Sequence, residues 1–118
     1  MNSKRILVVD DQDSWLGLAG KWLLDAGYNS DTAISGLKAI ELLQKITYDL
    51  IVVDLYMPGI SGLKLHDYIK SKYDTPIVVL SNAMYEYIRE LPFKYKFQKP
   101  LGSERFIQII NGIINELP

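Results

Sequence analysis

The chain has 118 residues, of which 48% are hydrophobic and 23% charged, and this length and composition predict one globular domain over residues 1–118. It contains no cysteine, which excludes disulfides and cysteine-bound metal centres, and its formal net charge of −1 gives no general attraction for nucleic acid or an anionic membrane. No apolar run approaches the ~20 residues that span a bilayer, and residues 1–5 show no signal-peptide pattern, so we expect a cytoplasmic location.

Five short runs rich in β-branched or aromatic residues predict strands. In chain order they are residues 6–9, 28–33, 50–53, 77–80 and 95–98. The first, third and fourth runs are continuously apolar, which is typical of strands buried on both faces of a parallel sheet. The second run is more polar, and we expect it at a sheet edge. The fifth pattern is the weakest, because polar residues alternate with aromatic ones.

Segments with helical periodicity separate and follow these runs. The first spans residues 14–26, the second begins after Ser35, and the third begins near Ser61. A weaker pattern covers residues 83–91, and the last helix follows Ser103 as its N-cap. Because strand and helix alternate throughout, the sequence predicts an α/β sandwich with a parallel sheet and right-handed crossovers.

Polar side chains follow four of the predicted strands. Asp10 and Asp11 follow the first, Asp54 the third, Ser81 the fourth and Lys99 the fifth. Because the carboxyl ends of parallel strands meet at one sheet edge, we expect these side chains to converge there. Carboxylates about 4 Å apart repel by roughly 4 kcal/mol at an effective dielectric of 20. Mg²⁺, which takes carboxylate, water and phosphate oxygens, is the cation that would compensate them.

The residues at these strand ends resemble the response regulator receiver domain of two-component signalling, over essentially the whole chain. Residues 6–11 (ILVVDD) are similar to that family's first strand with its acidic pair, and residues 54–62 (DLYMPGISG) to its phosphoacceptor loop. Ser81 and the Lys99-Pro100 pair match two further family positions. The resemblance implies a flavodoxin-like three-layer sandwich. Its five-stranded sheet would have the order 2-1-3-4-5, with two of five helices on one face and three on the other.

The resemblance also implies roles for the residues of the site. Asp54 would accept a phosphoryl group from a phosphohistidine of a sensor histidine kinase or phosphotransfer protein. Lys99 would pair first with this carboxylate and then with the phosphoryl group, and Ser81 would donate a hydrogen bond to it. A cis peptide bond between Lys99 and Pro100 would direct the lysine inwards. The Mg²⁺ ligands would be Asp10, Asp11, Asp54 and the backbone carbonyl of Tyr56.

The partners implied by the resemblance are proteins. The face formed by the fourth helix, the fifth strand and the last helix would switch for an output domain or target protein that the sequence does not identify. We also consider a homodimer through this face. We expect no nucleic-acid binding by this domain, and no enzymatic chemistry beyond self-phosphorylation and self-dephosphorylation at Asp54.

The chain departs from the family pattern in three places. Only 18 positions separate the serine and lysine of the site, and the glycine–alanine pair before the fifth strand is missing, so the fourth helix is predicted to be short or irregular. Asn82 stands where the family prefers a small residue, which would narrow access to the acyl phosphate. The aromatic residue that often lies three positions before the lysine is replaced by Lys96, and Tyr95 or Phe97 could act in its place.

Three functions fit these residues to different degrees. The phosphoacceptor switch needs every site residue named above, and the chain has all of them. A receiver-shaped interaction module that is not phosphorylated stays open because of Asn82 and Lys96. A magnesium-dependent phosphohydrolase with an aspartyl nucleophile ranks third. By family resemblance such enzymes have a second acid two residues after the nucleophile, and this chain has Tyr56 at that position. His66, the single histidine, cannot form a zinc site alone and is interpreted as a surface residue.

Overall fold

Five strands and five helices alternate along the chain. In the computed structural model, which describes residues 4–99 and 101–117, the elements are β1 (Arg5–Val9), α1 (Asp13–Asp25), β2 (Asn29–Ala33), α2 (Gly36–Leu43), β3 (Leu50–Asp54), α3 (Gly62–Lys72), β4 (Ile77–Ser81), α4 (Tyr85–Ile88), β5 (Tyr95–Gln98) and α5 (Ser103–Glu116). The single turn of α4 confirms the prediction of a short fourth helix. Within these ranges, no helix combines the length and the apolar character needed to cross a bilayer.

The strands form one parallel sheet in the order β2-β1-β3-β4-β5. The predicted flavodoxin-like α/β architecture is therefore confirmed. β3 and β4 are buried along their whole length and β1 along all but its first residue, as expected for apolar strands covered by helices on both faces. The polar strand β2 forms one edge of the sheet, again as predicted.

Two apolar clusters cover the two faces of the sheet. On one face, α2 and α3 pack through residues such as Leu43 and Leu65, and the segment after α4 joins them through Phe93. On the other face, α1 and α5 pack through residues such as Leu23 and Phe106. The helices are therefore divided two and three between the faces, and the amino ends of α1 and α3 come close to the carboxyl ends of the strands.

One of the predicted helix caps is wrong. Ser35 and Ser61 cap α2 and α3, and each side-chain oxygen accepts a hydrogen bond at 3.2 Å from the N–H three residues further on. Ser103 is not an N-cap but the first residue of α5. Gly102 holds the N-cap position with an extended backbone (φ −78°, ψ 170°) and no side-chain bond. The helix therefore begins one residue earlier than the serine signal indicates.

The surface prediction for His66 is also wrong. The exposed fraction of its side chain is 15%, and its ring centroid lies 4.5 Å from that of Phe93. Phe93 is buried, and the His66 ring packs on it with an interplanar angle of 56°. His66 thus contributes to the packing between α3 and the segment before β5.

Candidate functional site at the carboxyl ends of the strands

The carboxyl edge of the sheet gathers the buried polar side chains of the fold. Asp10 follows β1, Asp54 ends β3, Ser81 ends β4 and Lys99 follows β5. Within residues 4–99 and 101–117, these four are the polar or charged residues that are buried, with exposed fractions of 1%, 8%, 1% and 8%. Buried charges cost free energy unless they are compensated, so a group of them at one sheet edge indicates a functional site.

Three carboxylates meet at this edge. Asp10, Asp11 and Asp54 each offer an oxygen, and the three oxygens lie within 4.8 Å of one another. Asp11 is exposed while the other two are buried, so the cluster opens to solvent on one side. The N–H of Gln12 donates to Asp10 at 2.9 Å and fixes that side chain. An oxygen-only set that leaves room for water fits a hard divalent cation such as Mg²⁺.

Lys99 supplies positive charge to the same cluster. Its ammonium forms an ion pair with Asp10, and its Nζ lies 3.9 Å from Oδ1 of Asp54. The Lys99 backbone N–H donates to the carbonyl of Ser81 at 2.7 Å, which fastens the end of β5 to the end of β4. Nζ also lies 5.3 Å from the ring centroid of Trp15 on α1, a cation–π contact that the sequence did not reveal.

Asp54 has an unusual electrostatic environment. The pKa of its carboxyl is raised from the ordinary 3.8 to about 6, chiefly by burial and also by the charges of Asp10 and Asp11. Lys99 and a hydrogen bond from the backbone of Tyr56 act in the opposite direction. Near neutral pH this carboxylate is therefore ionised but poorly solvated, which suits an oxygen nucleophile.

Ser81 and Tyr56 connect the site to α4. Oγ of Ser81 accepts a hydrogen bond from the N–H of Ala83 at 3.0 Å, so its own proton stays available for donation. The Tyr56 side chain is 55% exposed, and a hydrogen bond with Tyr87 of α4 raises the pKa of its hydroxyl. No pattern in the sequence indicates this tyrosine pair, because the two residues are distant in the chain.

Gly62 sets the distance between α3 and the end of β3. A Cβ at this position would lie 2.1 Å from the carbonyl oxygen of Asp54 and 2.6 Å from Cα of Leu55. The Gly62 N–H donates to the carbonyl of Leu55 at 2.9 Å. This glycine is the last residue of the 54–62 loop motif, but only the structure shows that the missing side chain permits the close approach of two backbones beside Asp54.

Most of the predicted site residues come together in this way. The Tyr56 carbonyl remains a prediction as a metal ligand, and the predicted cis bond involves Pro100, which lies outside the described residues. The side chains that meet at the sheet edge are Asp10, Asp11, Asp54, Ser81 and Lys99.

The sequence of residues 6–111 matches the family described as the response regulator receiver domain. The chain belongs to this family. Among curated relatives, Regulator of RpoS from Escherichia coli (strain K12) is 38% identical to this receiver domain over 79 residues, 66% of this chain and 23% of that protein. Response regulator ArlR from Staphylococcus aureus (strain Mu50) is 27% identical over 118 residues, 97% of this chain and 54% of that protein. This receiver domain therefore spans between about a quarter and about half of these relatives.

Solved structures agree with the fold. Response regulator protein TrrA from Thermotoga maritima, in complex with Mg²⁺-BeF, is 32% identical to this receiver domain with a TM-score of 0.82, covering 93% of this chain and 98% of that one. A Francisella response regulator receiver domain is 24% identical with a TM-score of 0.86, covering 96% and 98% of the two chains. The second likeness concerns the fold alone.

Proposed function

We propose that this receiver domain is a phosphoacceptor in a two-component phosphorelay, with Asp54 as the residue that is phosphorylated. The observation that carries the proposal is the meeting of three carboxylates, within 4.8 Å of one another, with the ammonium of Lys99 at the carboxyl edge of the sheet. The donor is a phosphohistidine of a sensor histidine kinase or phosphotransfer protein. The proposed Mg²⁺ ligands are Asp10, Asp11, Asp54 and the backbone carbonyl of Tyr56.

The proposed reaction is a displacement at phosphorus. A carboxylate oxygen of Asp54 forms the new P–O bond while the P–N bond of the phosphohistidine breaks, and the electron pair of that bond stays on the imidazole. Bound Mg²⁺ supplies charge neutralisation and alignment of the transferring group. The ionised state of Asp54 at neutral pH means that no separate general base is needed.

Lys99 and Ser81 would hold the product. The Lys99 ammonium, which is shared between Asp10 and Asp54, would pair with an oxygen of the phosphoryl group. The Ser81 hydroxyl, whose oxygen already accepts from Ala83, would donate to another oxygen. A phosphoryl group replaces one negative charge by roughly two and offers three acceptor oxygens, so both contacts strengthen on phosphorylation.

The functional consequence would be a change in a protein-binding face. The fourth helix, fifth strand and fifth helix (α4, β5 and α5) form this face, and the loop after Ser81 connects it to the site. Its partner would be an output domain or a target protein, and a homodimer through the same face belongs to the proposal. Chemistry at Asp54 would be limited to self-phosphorylation and self-dephosphorylation, without turnover of a separate substrate.

Intact-mass spectrometry after incubation with acetyl phosphate and Mg²⁺ tests this proposal. We expect one added phosphoryl group on the wild type, none with EDTA in place of Mg²⁺, and none on Asp54→Asn. Asp25→Asn, which changes an exposed aspartate of α1, is the matched control and should be modified like the wild type. If the wild type stays unmodified and does not bind beryllofluoride, the interaction module without phosphorylation replaces the proposal. Sustained release of phosphate from small phosphomonoesters would instead favour a phosphohydrolase.

A further inference from the structure

Two side chains of β5 hold the segment between β4 and β5. Nε2 of Gln98 donates to the carbonyl of Ala83 at 3.0 Å, just before α4. Nζ of Lys96 donates to the carbonyls of Arg89 and Leu91 at 2.9 and 2.5 Å, just after α4. Because residues two apart on a strand lie on one face, both side chains reach the same side of the sheet. The segment is thus attached to β5 at both ends.

α4 has little else to keep it in place. It is a single turn, and a helix this short is unstable unless tertiary contacts support it. Ile88 is buried, but Tyr85, Glu86 and Tyr87 are exposed. The position of α4 therefore depends on Ile88, on the contact of Tyr87 with Tyr56 and on the polar attachments to β5.

Lys96 makes the stronger of the two polar attachments. Its ammonium contacts the carbonyl of Arg89, the C-cap of α4, and that of Leu91, three residues beyond the helix. A carbonyl at the end of a helix has no N–H partner within that helix. Hydrogen bonds from a charged donor are roughly twice as strong as neutral ones. Its neighbours Tyr95 and Phe97 point to the opposite face, where they pack against the cluster of α1 and α5. Neither aromatic ring can therefore replace Lys96 at the end of α4.

We propose that Lys96 is a positioning residue that fastens α4 to β5 and sets how far α4 moves when the charge at the strand ends changes. The second part rests on the proposed phosphorylation. The Ser81 hydroxyl holds the N–H of Ala83, and Gln98 holds its carbonyl, so a turn of Ser81 towards a phosphoryl group displaces the near end of the segment. Lys96 holds the far end of the segment through the carbonyls of Arg89 and Leu91. These two hydrogen bonds therefore limit the movement of α4, which lies between the two ends.

Hydrogen–deuterium exchange of the full chain tests the first part without any phosphodonor. In Lys96→Met, the amides of residues 85–91 should exchange roughly tenfold faster than in the wild type, because a charge-assisted attachment is lost. Lys96→Arg should keep wild-type protection, since a guanidinium also donates to two carbonyls. Lys94→Met, which removes an exposed lysine of the same segment, is the matched control and should leave these amides unchanged.

Unchanged exchange at residues 85–91 in Lys96→Met would overturn the inference, and so would an equal increase in β1 and β3, since that would show a general loss of stability.

Adding Mg²⁺ and beryllofluoride tests the second part of the proposal, the role of Lys96 in the movement of α4. We expect a change in exchange at residues 85–91 of the wild type that is at least halved in Lys96→Met. An equal change in both proteins would contradict the role in switching. A wild type that does not respond would count against the phosphoacceptor proposal, while the comparison without ligand still decides the attachment.

Discussion

The ammonium of Lys99 forms an ion pair with Asp10 while lying 3.9 Å from Asp54, so that one positive charge serves two buried carboxylates. A cation that binds among the three aspartates must compete with this ammonium for Asp10. The same lysine is also the group that would receive the phosphoryl oxygen. In the proposed function Lys99 would therefore link metal binding to phosphorylation, and removing this lysine should change Mg²⁺ affinity and phosphorylation rate in opposite directions.

Lys99→Met should bind Mg²⁺ more tightly than the wild type, by at least about threefold, because a unit positive charge near the cation is removed. Its modification by acetyl phosphate should nevertheless slow. The ring centroid of Trp15 lies 5.3 Å from the Lys99 Nζ, so tryptophan fluorescence can follow a Mg²⁺ titration of the wild type. Calorimetry can follow the titration of both proteins. Lys45→Met, at an exposed position, serves as the control. Weaker Mg²⁺ binding by Lys99→Met would show that the lysine supports the metal site rather than competing with it.

If the three aspartates hold Mg²⁺ as proposed, the ion should stabilise the wild type against thermal unfolding, because a ligand of the folded state shifts the equilibrium towards that state. Asp11→Ala should lose this stabilisation, while its melting temperature in EDTA should stay within about 2 °C of the wild type, since the side chain is exposed. Asp13→Ala removes another exposed acid two residues away and should keep the full Mg²⁺ response. Equal responses of the two variants would mean that Asp11 is not a ligand.

The stability difference between Asp54→Asn and the wild type should depend on pH. The pKa of Asp54 in the folded protein, about 6, lies above the ordinary 3.8, so ionisation of this group opposes folding. In EDTA the variant should be more stable by about 1 to 3 kcal/mol above pH 7, and this gain should disappear as the pH falls from about 6 to below 4. Urea unfolding of both proteins at several pH values measures this difference in the free energy of unfolding. A gain that does not vary with pH would contradict the electrostatic cause.

Gly62→Ala should destabilise the fold by about 1 to 3 kcal/mol, because the new methyl group would meet the backbone of Asp54 and Leu55. Gly112→Ala provides the contrast within α5, since open space surrounds that position and alanine favours a helix by about 0.5 to 1 kcal/mol. Chemical denaturation of both variants checks the pair. A neutral Gly62→Ala would show that α3 can shift away from β3 at little cost.

The sheet and its site were predictable because they depend on short-range patterns. The apolar runs of β1, β3 and β4 specify strands buried on both faces, and each is followed directly by a polar residue of the site. Parallel pairing then brings these residues together whatever the details of the helices. The carboxylate cluster therefore follows from the strand positions alone.

The features that the sequence did not reveal depend on contacts across the fold. Nothing local to Lys96 indicates that its ammonium reaches the end of α4, and nothing local to His66 indicates that it packs on Phe93. Similarly, serine is a common N-cap residue, but Gly102 with its extended backbone takes the N-cap position, so that Ser103 is the first residue of α5. In each case the short connection through α4 or the loop before α5 decides the geometry.

Locating the phosphoryl group on the chain decides whether Asp54 is the phosphoacceptor. Trypsin releases residues 46–64 as one peptide, which contains Asp49 as well as Asp54 and so carries its own control acid. After treatment with acetyl phosphate and Mg²⁺, fragmentation of this peptide should place one phosphoryl group on Asp54 and leave Asp49 unmodified. A phosphoryl group found on Asp49 or on any residue outside this peptide, or one that persists in Asp54→Asn, would contradict the account.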